Sequence, residues 1–427
     1  MNIHILAIAG AMTTPLSLAL QQSGHRITGS DQDKIYPPFS LQLAKANIPL
    51  NQPLPADIDL AIIGSGYQKF ATTRDQFDQI VQHKIPYISA TEYLAQNVIR
   101  PKSILVAGSH GKTTITSLLA YIFTTAGLNP AFMFGGQTES LPQSLKFSDS
   151  PWSIVEADES INGLDTQAKF LYYPVKYLIL TSANWEHKES YASADDNTAA
   201  FRQLVQNLPS DGLFVYNPQD PLVSQLVKFS KAQNIPYSVS QQYPTLLIGQ
   251  HNQQNIAAAV QLCLSLGIDH QIIKSSVASF AGVKKRLEVV ADKANIIFID
   301  DFAQSTQRII QSLSAISAHY PSRPIKVFFA PHASFIKNNQ SLQSLSQAFV
   351  AASEIIVSRP HLSPTSEKIT GQDIARAISP KAKYFPLYED IGQHFISTLA
   401  PHDILVHMSS GGLDNYNCFI DIINSFS

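Results

Sequence analysis

The run Gly108-Ser109-His110-Gly111-Lys112-Thr113-Thr114 constrains this chain more than any other stretch. An apolar run at 103–107 precedes it and predicts a β-strand. An amphipathic run at 114–125 follows and predicts a helix, with Gly127 as its stop. Strand, glycine turn and helix in that order make a phosphate-binding loop: backbone N–H groups at a helix N-terminus cradle phosphate oxygens, and the helix dipole favours the negative charge. In that arrangement Lys112 reaches β- and γ-phosphates and the Thr113 hydroxyl lies on Mg²⁺. Only Ser109 and His110 separate the two glycines, which is tighter than the general G-x-x-x-x-G-K-[ST] form.

A chain of 427 residues has room for about three domains. Its formal net charge is −2, and charged residues make up only 15%. With no basic excess, nucleic acid is not an expected partner, and substrates are met by local sites instead of a global field. The two cysteines, Cys263 and Cys418, lie far apart with no metal-ligand spacing, and read as reduced thiols in a cytoplasmic protein. The apolar N-terminus lacks a basic leader and contains Pro15; no run of 18 apolar residues occurs, so no membrane insertion is expected.

Strands and helices alternate along the chain, which predicts an α/β protein with parallel, doubly wound sheets in three parts. The first, residues 1–98, carries strands at 3–9, 25–29, 59–63 and 85–88 and a helix at 16–22. A turn at Gly10 after the first strand, and Asp31 in Gly29-Ser30-Asp31 after the second, fit a Rossmann-like half, though Ala7, Ala9 and Ala11 replace hoped-for glycines. The second part, residues 99–287, carries the phosphate loop. Its further strands, at 152–155 and 177–181, lead into Glu156-Ala157-Asp158-Glu159 and into Ser182-Ala183-Asn184-Trp185-Glu186-His187. Acids at strand ends beside a phosphate loop hold Mg²⁺, or are solvated loop residues and helix caps. Gly249-Gln250-His251-Asn252-Gln253-Gln254-Asn255 precedes a helix at 256–266; its His and Asn can cap the helix or hydrogen-bond an adenine edge. The third part, residues 288–427, has strands at 295–299, 325–330, 354–357 and 403–408 and a helix at 306–318. Asp300-Asp301, Pro331-His332 and Ser409-Ser410-Gly411-Gly412 follow three of those strands.

These motifs in this order resemble the Mur ligase family, ATP-dependent amide ligases of peptidoglycan synthesis. The resemblance spans essentially the whole chain and rests on 108–114, Glu156-Ala157-Asp158-Glu159-Ser160, 184–187, 249–255, Lys285-Arg286-Leu287-Glu288 and Asp300-Asp301-Phe302-Ala303. It implies a UDP-sugar-binding Rossmann-like N-terminal domain, a P-loop ATPase central domain and a Rossmann-like C-terminal domain for the amino acid or peptide. Within the family the likeness is nearest to the cell-wall recycling branch, through Gly29-Ser30-Asp31 with Tyr36-Pro37-Pro38, through 107–114 and through Met408-Ser409-Ser410-Gly411-Gly412. That branch implies UDP-N-acetylmuramate and the tripeptide L-alanyl-γ-D-glutamyl-meso-diaminopimelate as partners, ATP and Mg²⁺ as cofactors, and a monomer or weak dimer. The branch that adds L-alanine shares most central motifs and is the alternative; a nucleotide-binding protein without ligation is a third reading.

The resemblance also implies residue roles. Gly108, Ser109, His110, Gly111, Lys112, Thr113 and Thr114 hold the phosphates; Thr113, Glu156 and His187 form the magnesium shell; His251 and Asn255 contact adenine. Arg286 brings charge to the γ-phosphate, and Asp301 helps bind the ribose. Gly10, Ser30 and Asp31 face the UDP-sugar, while His332 and Lys337 face the acceptor's carboxylates, unless His332 caps a turn and Lys337 is solvated. The catalytic set is Lys112, His187 and Arg286. Four departures stand out. No lysine lies between Lys188 and Lys228, and Arg202 occupies the region where several members carry a carbamylated lysine, so the metal site resembles the branches without one. Gln304-Ser305-Thr306 follows Ala303 where the family pattern has a histidine, and His332-Ala333-Ser334-Phe335 departs from the recycling branch. The segment between Tyr237 and Gly249 is short.

Overall fold

The computed structural model describes residues 1–32, 35, 38–185, 190–239, 242–332, 339–360, 369–378 and 380–426. Among them are three sheets, each drawn from one stretch of chain. The first holds β1 (Asn2–Leu6), β2 (Arg26–Ser30), β3 (Leu60–Ile63) and β4 (Tyr87–Ser89), all parallel, in the order β2-β1-β3-β4. The second holds β5 (Lys102–Ala107), β6 (Ala131–Met133), β7 (Leu145–Lys146), β8 (Trp152–Ala157), β9 (Tyr177–Leu180), β10 (Leu213–Tyr216) and β11 (Gln233–Pro236). Its order is β11-β10-β9-β5-β8-β6-β7, with only the β6–β7 pair antiparallel. The third holds β12 (Glu288–Lys293), β13 (Ile296–Asp301), β14 (Ile325–Ala330), β15 (Glu354–Val357), β16 (Ala382–Tyr384) and β17 (Ile404–Ser409). It runs β12-β13-β17-β14-β15-β16 and is parallel except for β12 against β13.

Alternation explains why both faces of these sheets are covered. Side chains in a strand point to opposite faces in turn, so a strand buried on both sides reads as an unbroken apolar run. In β13, Ile297 and Ile299 join one core while Ile296 and Phe298 join the other. In β14, Val327 and Phe329 divide from Phe328 and Ala330 in the same way. Phe328, Phe329, Phe298, Phe395 and Phe419 are each fully buried, and each such side chain contributes about 2–3 kcal/mol relative to exposure.

The chain divides into two compact units: residues 1–246 with 251–282, and residues 247–250 with 283–427. The first two sheets therefore share one unit. One apolar cluster joins them, running from Ile5 and Leu16 through Leu94 to Leu105, Phe170 and Phe201. Backbones also touch across that joint: a Cβ on Gly163 would lie 2.7 Å from the Ser65 carbonyl oxygen.

Of the element boundaries that differ from the expected ones, four bear directly on the site. β1 ends at Leu6 instead of residue 9, because Ala7 turns the chain with φ of 53°. The loop helix starts at Lys112 instead of residue 114, on Gly111 with φ of 81°. The helix expected from residue 256 spans Gln250–Ser265, so His251 and Asn255 lie within it, one turn apart. β13 runs through Asp301 instead of stopping at residue 299, which places Asp300 and Asp301 on opposite faces of the strand.

Candidate active site

The loop after β5 is held rigidly. Gly111 precedes the helix Lys112–Thr125 in the left-handed region and brings no side chain to cap the first-turn N–H groups. Its missing Cβ would meet Asn255 Oδ1 at 2.3 Å. Gly108, with φ of 124°, is packed as closely: a Cβ there would lie 2.3 Å from Thr181 Oγ1 and 2.8 Å from the Ser182 backbone. Gly108 is required by space and by backbone angle, and Gly111 by backbone angle. The loop is then stitched to the end of β9. Ser109 N–H donates to Ser182 Oγ at 3.0 Å, Ser109 Oγ donates to the Asn184 carbonyl at 2.9 Å, and Thr181 Oγ1 donates to the His110 carbonyl at 2.6 Å. Loops after β9 and β8, the two neighbours of β5, thus frame the glycine turn.

The acids at the end of β8 face the same turn. Thr113 Oγ1 donates to Glu156 Oε1 at 2.9 Å, and Glu156 Oε2 accepts the Gly135 N–H at 2.7 Å. A threonine hydroxyl and a carboxylate side by side are hard oxygen donors, the type that suits Mg²⁺. His187, the third expected ligand, lies outside the described residues, as do Glu186 and Lys188. Among the described residues no cluster of three or more His, Cys, Asp or Glu could hold a metal by itself. Arg202 is exposed on the helix Ala194–Gln206, 5.0 Å over the Phe229 ring.

Lys112 is not the exposed lysine that a helix start suggests. Its Nζ donates to the Gly108 carbonyl and to Glu159 Oε2, both at 2.7 Å, with side-chain exposures of 12% for Lys112 and 1% for Glu159. Burial opposes the ammonium charge, but Glu159, Asp158 and Glu156 outweigh it and hold Lys112 above its usual pKa. Nothing local in the sequence sets Glu159 apart from a solvated loop acid; the buried ion pair with Lys112 is what distinguishes it. Asp158 instead pairs with Lys169 Nζ at 2.8 Å and with Ser160; burial opposes its charge, yet Lys169 and Lys112 hold it well below the usual carboxylate range.

On the helix Gln250–Ser265, His251 is exposed and Asn255 is buried, with Asn255 Nδ2 donating to Asn252 Oδ1 at 3.1 Å. In the first sheet, Asp31 Oδ2 accepts the Ala9 N–H and Oδ1 the Gln32 N–H, each at 2.8 Å, tying the loop after β2 to the loop after β1. Burial pushes the Asp31 carboxyl up despite those two donors. Ser30 is fully buried with its Oγ 3.4 Å from His4 Nε2, and Gly10 lies against Thr13. Tyr36 and Pro37 are outside the described residues.

The third sheet presents its polar groups at the C-terminal ends of its strands. Arg286 is exposed on a turn whose neighbours Lys285 and Leu287 both have positive φ, 58° and 52°. Asp301, expected at a ribose, is directed inward: Oδ1 accepts the Leu287 N–H at 3.2 Å and Oδ2 accepts the Ser312 hydroxyl at 2.5 Å. Burial raises its pKa. Asp300, on the opposite face, bonds His407 Nδ1 at 2.8 Å and lies 3.6 Å from Lys285 Nζ. The turn after β17 is closed by Ser409, whose Oγ donates to the Gly411 carbonyl at 2.8 Å, and by Asn415 Nδ2 on the same carbonyl. His332 is half-buried, and burial lowers its pKa. Lys337 and residues 333–335 lie outside the described residues.

A phosphate loop with a lysine, a hydroxyl and a carboxylate converging on it defines a nucleotide-dependent enzyme, and the known proteins it resembles say which class. The Mur ligase middle domain matches residues 106–243, and the Mur ligase glutamate ligase domain matches residues 285–411. The UDP-N-acetylmuramate–L-alanine ligase of Desulfitobacterium hafniense is 25% identical over 97% of this chain and 98% of its own. The UDP-N-acetylmuramate–L-alanyl-γ-D-glutamyl-meso-2,6-diaminoheptandioate ligase of Escherichia coli is 26% identical over 96% of each. Among solved structures, UDP-N-acetylmuramate-alanine ligase from Thermotoga maritima aligns with a TM-score of 0.79 at 19% identity, covering 99% and 98% of the two chains. A murein peptide ligase from Psychrobacter arcticus aligns with a TM-score of 0.68 at 23% identity, covering 100% and 98%. The class is that of ATP-dependent amide-bond ligases. The chain belongs to the Mur ligase family, in the α/β architecture expected for it.

Proposed function

We propose that this ligase joins UDP-N-acetylmuramate to the tripeptide L-alanyl-γ-D-glutamyl-meso-diaminopimelate, in the cytoplasm, as a step of peptidoglycan recycling. The observation that carries the chemistry is the convergence of Lys112, Thr113 and Glu156 on the glycine turn. The choice of the tripeptide is supported by the stretch Met408-Ser409-Ser410-Gly411-Gly412, which ends β17 and begins the turn after it, and by the Escherichia coli relative named for that acceptor. Among the described residues no helix is long and apolar enough to cross a membrane, and both cysteines are free and buried, which supports the cytoplasmic reading. The functional division we propose is 1–98 for the UDP-sugar, 99–287 for ATP and 288–427 for the acceptor.

A carboxylate is a poor electrophile, so the lactyl carboxylate of the sugar must first take the γ-phosphoryl group of ATP, releasing ADP. The free α-amine of the peptide then attacks the acyl carbon. The bond from that carbon to the phosphate oxygen breaks, phosphate leaves, and the amine loses a proton. This chain's part is positioning and charge neutralisation. The N-terminus of the helix Lys112–Thr125 and Lys112 hold the β- and γ-phosphates, which requires Lys112 to exchange Glu159 for phosphate. Thr113 and Glu156, with His187, would hold Mg²⁺, which supplies positive charge beside the phosphates. Arg286 adds charge to the γ-phosphate, and Asp301 serves it indirectly by bonding the Leu287 N–H and so fixing the turn. His251 and Asn255 are placed for adenine; Gly10, Ser30 and Asp31 shape the loops that meet the UDP-sugar; His332 and Lys337 meet the peptide.

L-Alanine as acceptor is the second reading, favoured by relatives of that name that match over the same length. Phosphate release dependent on UDP-N-acetylmuramate, measured with each acceptor, separates the two. The tripeptide should be coupled at least about ten times more efficiently, the discrimination given by about 1.4 kcal/mol of transition-state binding. Preference for L-alanine would transfer the assignment to the second reading.

A further inference from the structure

Gln304 stands where the family pattern has a histidine, and it is one of the best-used side chains around the third sheet. It follows β13 and is only 2% exposed. Its Nε2 donates to the Ala330 carbonyl at 3.3 Å and to the Met408 carbonyl at 3.2 Å, and its Oε1 accepts the His332 N–H at 2.9 Å. Those partners end β14 and β17, and β17 lies between β13 and β14 in the sheet. One primary amide therefore clamps the C-terminal ends of three neighbouring parallel strands. The orientation of the amide is unambiguous, because a flipped amide would set its oxygen against two carbonyl oxygens.

An amide supplies what this place demands: two donors and an acceptor on one rigid plane. A neutral imidazole has one donor and one acceptor, and a charged one has two donors and no acceptor, so neither form of histidine makes all three bonds. A buried carbonyl or N–H left without a partner costs roughly 1–3 kcal/mol, so a different residue here forces the strand ends to rearrange. Open parallel sheets bind ligands outside the carboxyl ends of their strands, the end that Gln304 holds.

We propose that Gln304 is a specificity-determining positioning residue: by holding the His332 backbone and the ends of β14 and β17, it sets the shape of the acceptor site. This inference rests on the reading of these strand ends as the side that receives the acceptor. Gln304 touches no reacting atom. It acts through His332 and through the carbonyls of Ala330 and Met408.

The test compares Gln304→Met, Gln304→His and His332→Ala in steady-state ligation with the tripeptide and with L-alanine as acceptors. Gln304→Met, similar in volume and without hydrogen bonds, should raise the acceptor KM about ten-fold or more while the KM for ATP stays within about two-fold. Beyond the titration of His332 and of the acceptor amine that the wild type already carries, Gln304→His should show an added fall in acceptor kcat/KM as its buried imidazole gains a proton at or below about pH 6.5, because the charged ring cannot accept the His332 N–H. If Gln304→Met does not fold, that pH profile still decides the matter. Equal rises in both KM values, or a Gln304→His variant indistinguishable from wild type across pH 5.5–8, would overturn the inference. Should His332→Ala raise the acceptor KM while Gln304→Met leaves it alone, the inference fails and the acceptor reading stands. Should both leave it alone, the acceptor reading of this face fails as well.

Discussion

The phosphate loop of the second sheet and the strand ends of the third are built by opposite means. Both gather polar groups at the C-terminal ends of parallel strands. At the loop, seven consecutive residues from Gly108 to Thr114 contain nearly the whole device, and the helix that follows supplies the field. In the third sheet no such stretch exists. Gln304 bonds partners 26 and 104 positions away, and Asp300 meets His407 across 107 positions. A phosphate group looks the same in every nucleotide, so local backbone geometry suffices to bind it. An acceptor must be told from its neighbours, and that requires a shape assembled from several strands. The first device is written in a motif; the second exists only once the sheet has formed.

The largest effect is expected from Lys112→Ala, which removes the loop's only side-chain cation. Ligation should fall about 10²-fold or more, the scale for loss of a charge at a transferring phosphoryl group. The buried partner changes what else is expected. Loss of Lys112 leaves the Glu159 carboxylate without its ammonium, so this variant should also melt earlier. Pairing it with Glu159→Gln should recover the melting temperature and none of the activity. Recovery of ligation in the double variant would mean that Lys112 serves the fold alone, and the contrast between the two regions would collapse.

This division also explains how much was legible in the sequence. The three-sheet α/β order was readable because buried parallel strands are short apolar runs, and 325–330 and 354–357 were bounded to the residue. The short strands β6, β7, β10 and β11 were not read, since β7 has two residues and β11, at Gln233–Pro236, is largely exposed at the sheet edge. Loop residues could be placed because glycines and a lysine at fixed spacing have one common physical use. Glu159 was passed over because nothing local marks an acid as buried. Asp301 was expected at a ligand because the apolar run ended at Ile299; the strand in fact continues and turns the carboxylate inward. Gln304 was seen only as a missing histidine, since its three partners are tertiary.

Asp300→Asn carries the next largest effect and probes the third sheet. Burial opposes the Asp300 charge, but His407 and Lys285 more than offset it and hold the carboxyl below its usual range. A folded pKa below the unfolded one gives stability that is present above about pH 4 and is lost as pH falls through the folded value. The variant should be about 3 kcal/mol less stable than wild type at pH 7, the order of magnitude for breaking a buried pair. Melting curves from pH 3 to 8 should show that gap closing in acid. A gap that is constant with pH would assign the loss to packing around Phe328 and Phe419, whose rings lie 4.9 Å and 4.8 Å from His407.

Gly111→Ala tests the loop from the backbone side. The position has φ of 81°, and the added Cβ would meet Asn255 Oδ1 at 2.3 Å. Strain at such a site costs on the order of 1–3 kcal/mol. Because Asn255 is a side chain that can move, the loss should be sharper in nucleotide affinity than in melting temperature. Calorimetric titration with ADP checks the affinity. An unchanged dissociation constant would show that the glycine turn is not what cradles the phosphates.

The smallest effect, from His251→Ala, decides whether the loop's locality extends to the base. The helix begins at Gln250, so His251 is in its first turn and exposed, while Asn255 one turn later is buried against Gly111. An exposed imidazole that hydrogen-bonds a base edge contributes about 0.5–1.5 kcal/mol net, a few-fold in KM. A residue that merely begins a helix would change stability slightly and treat all nucleotides alike. The two roles part company when ATP and GTP are compared, because the purine edges present different donors and acceptors while the phosphates are identical. If His251 reads adenine, its loss should raise the KM for ATP about two- to five-fold, leave the KM for GTP nearly unchanged, and so narrow the preference between them. If both values rise together, the base is read elsewhere. The nucleotide side would then resemble the acceptor side proposed for the third sheet, with recognition assembled from distant residues and only the phosphates left to the motif.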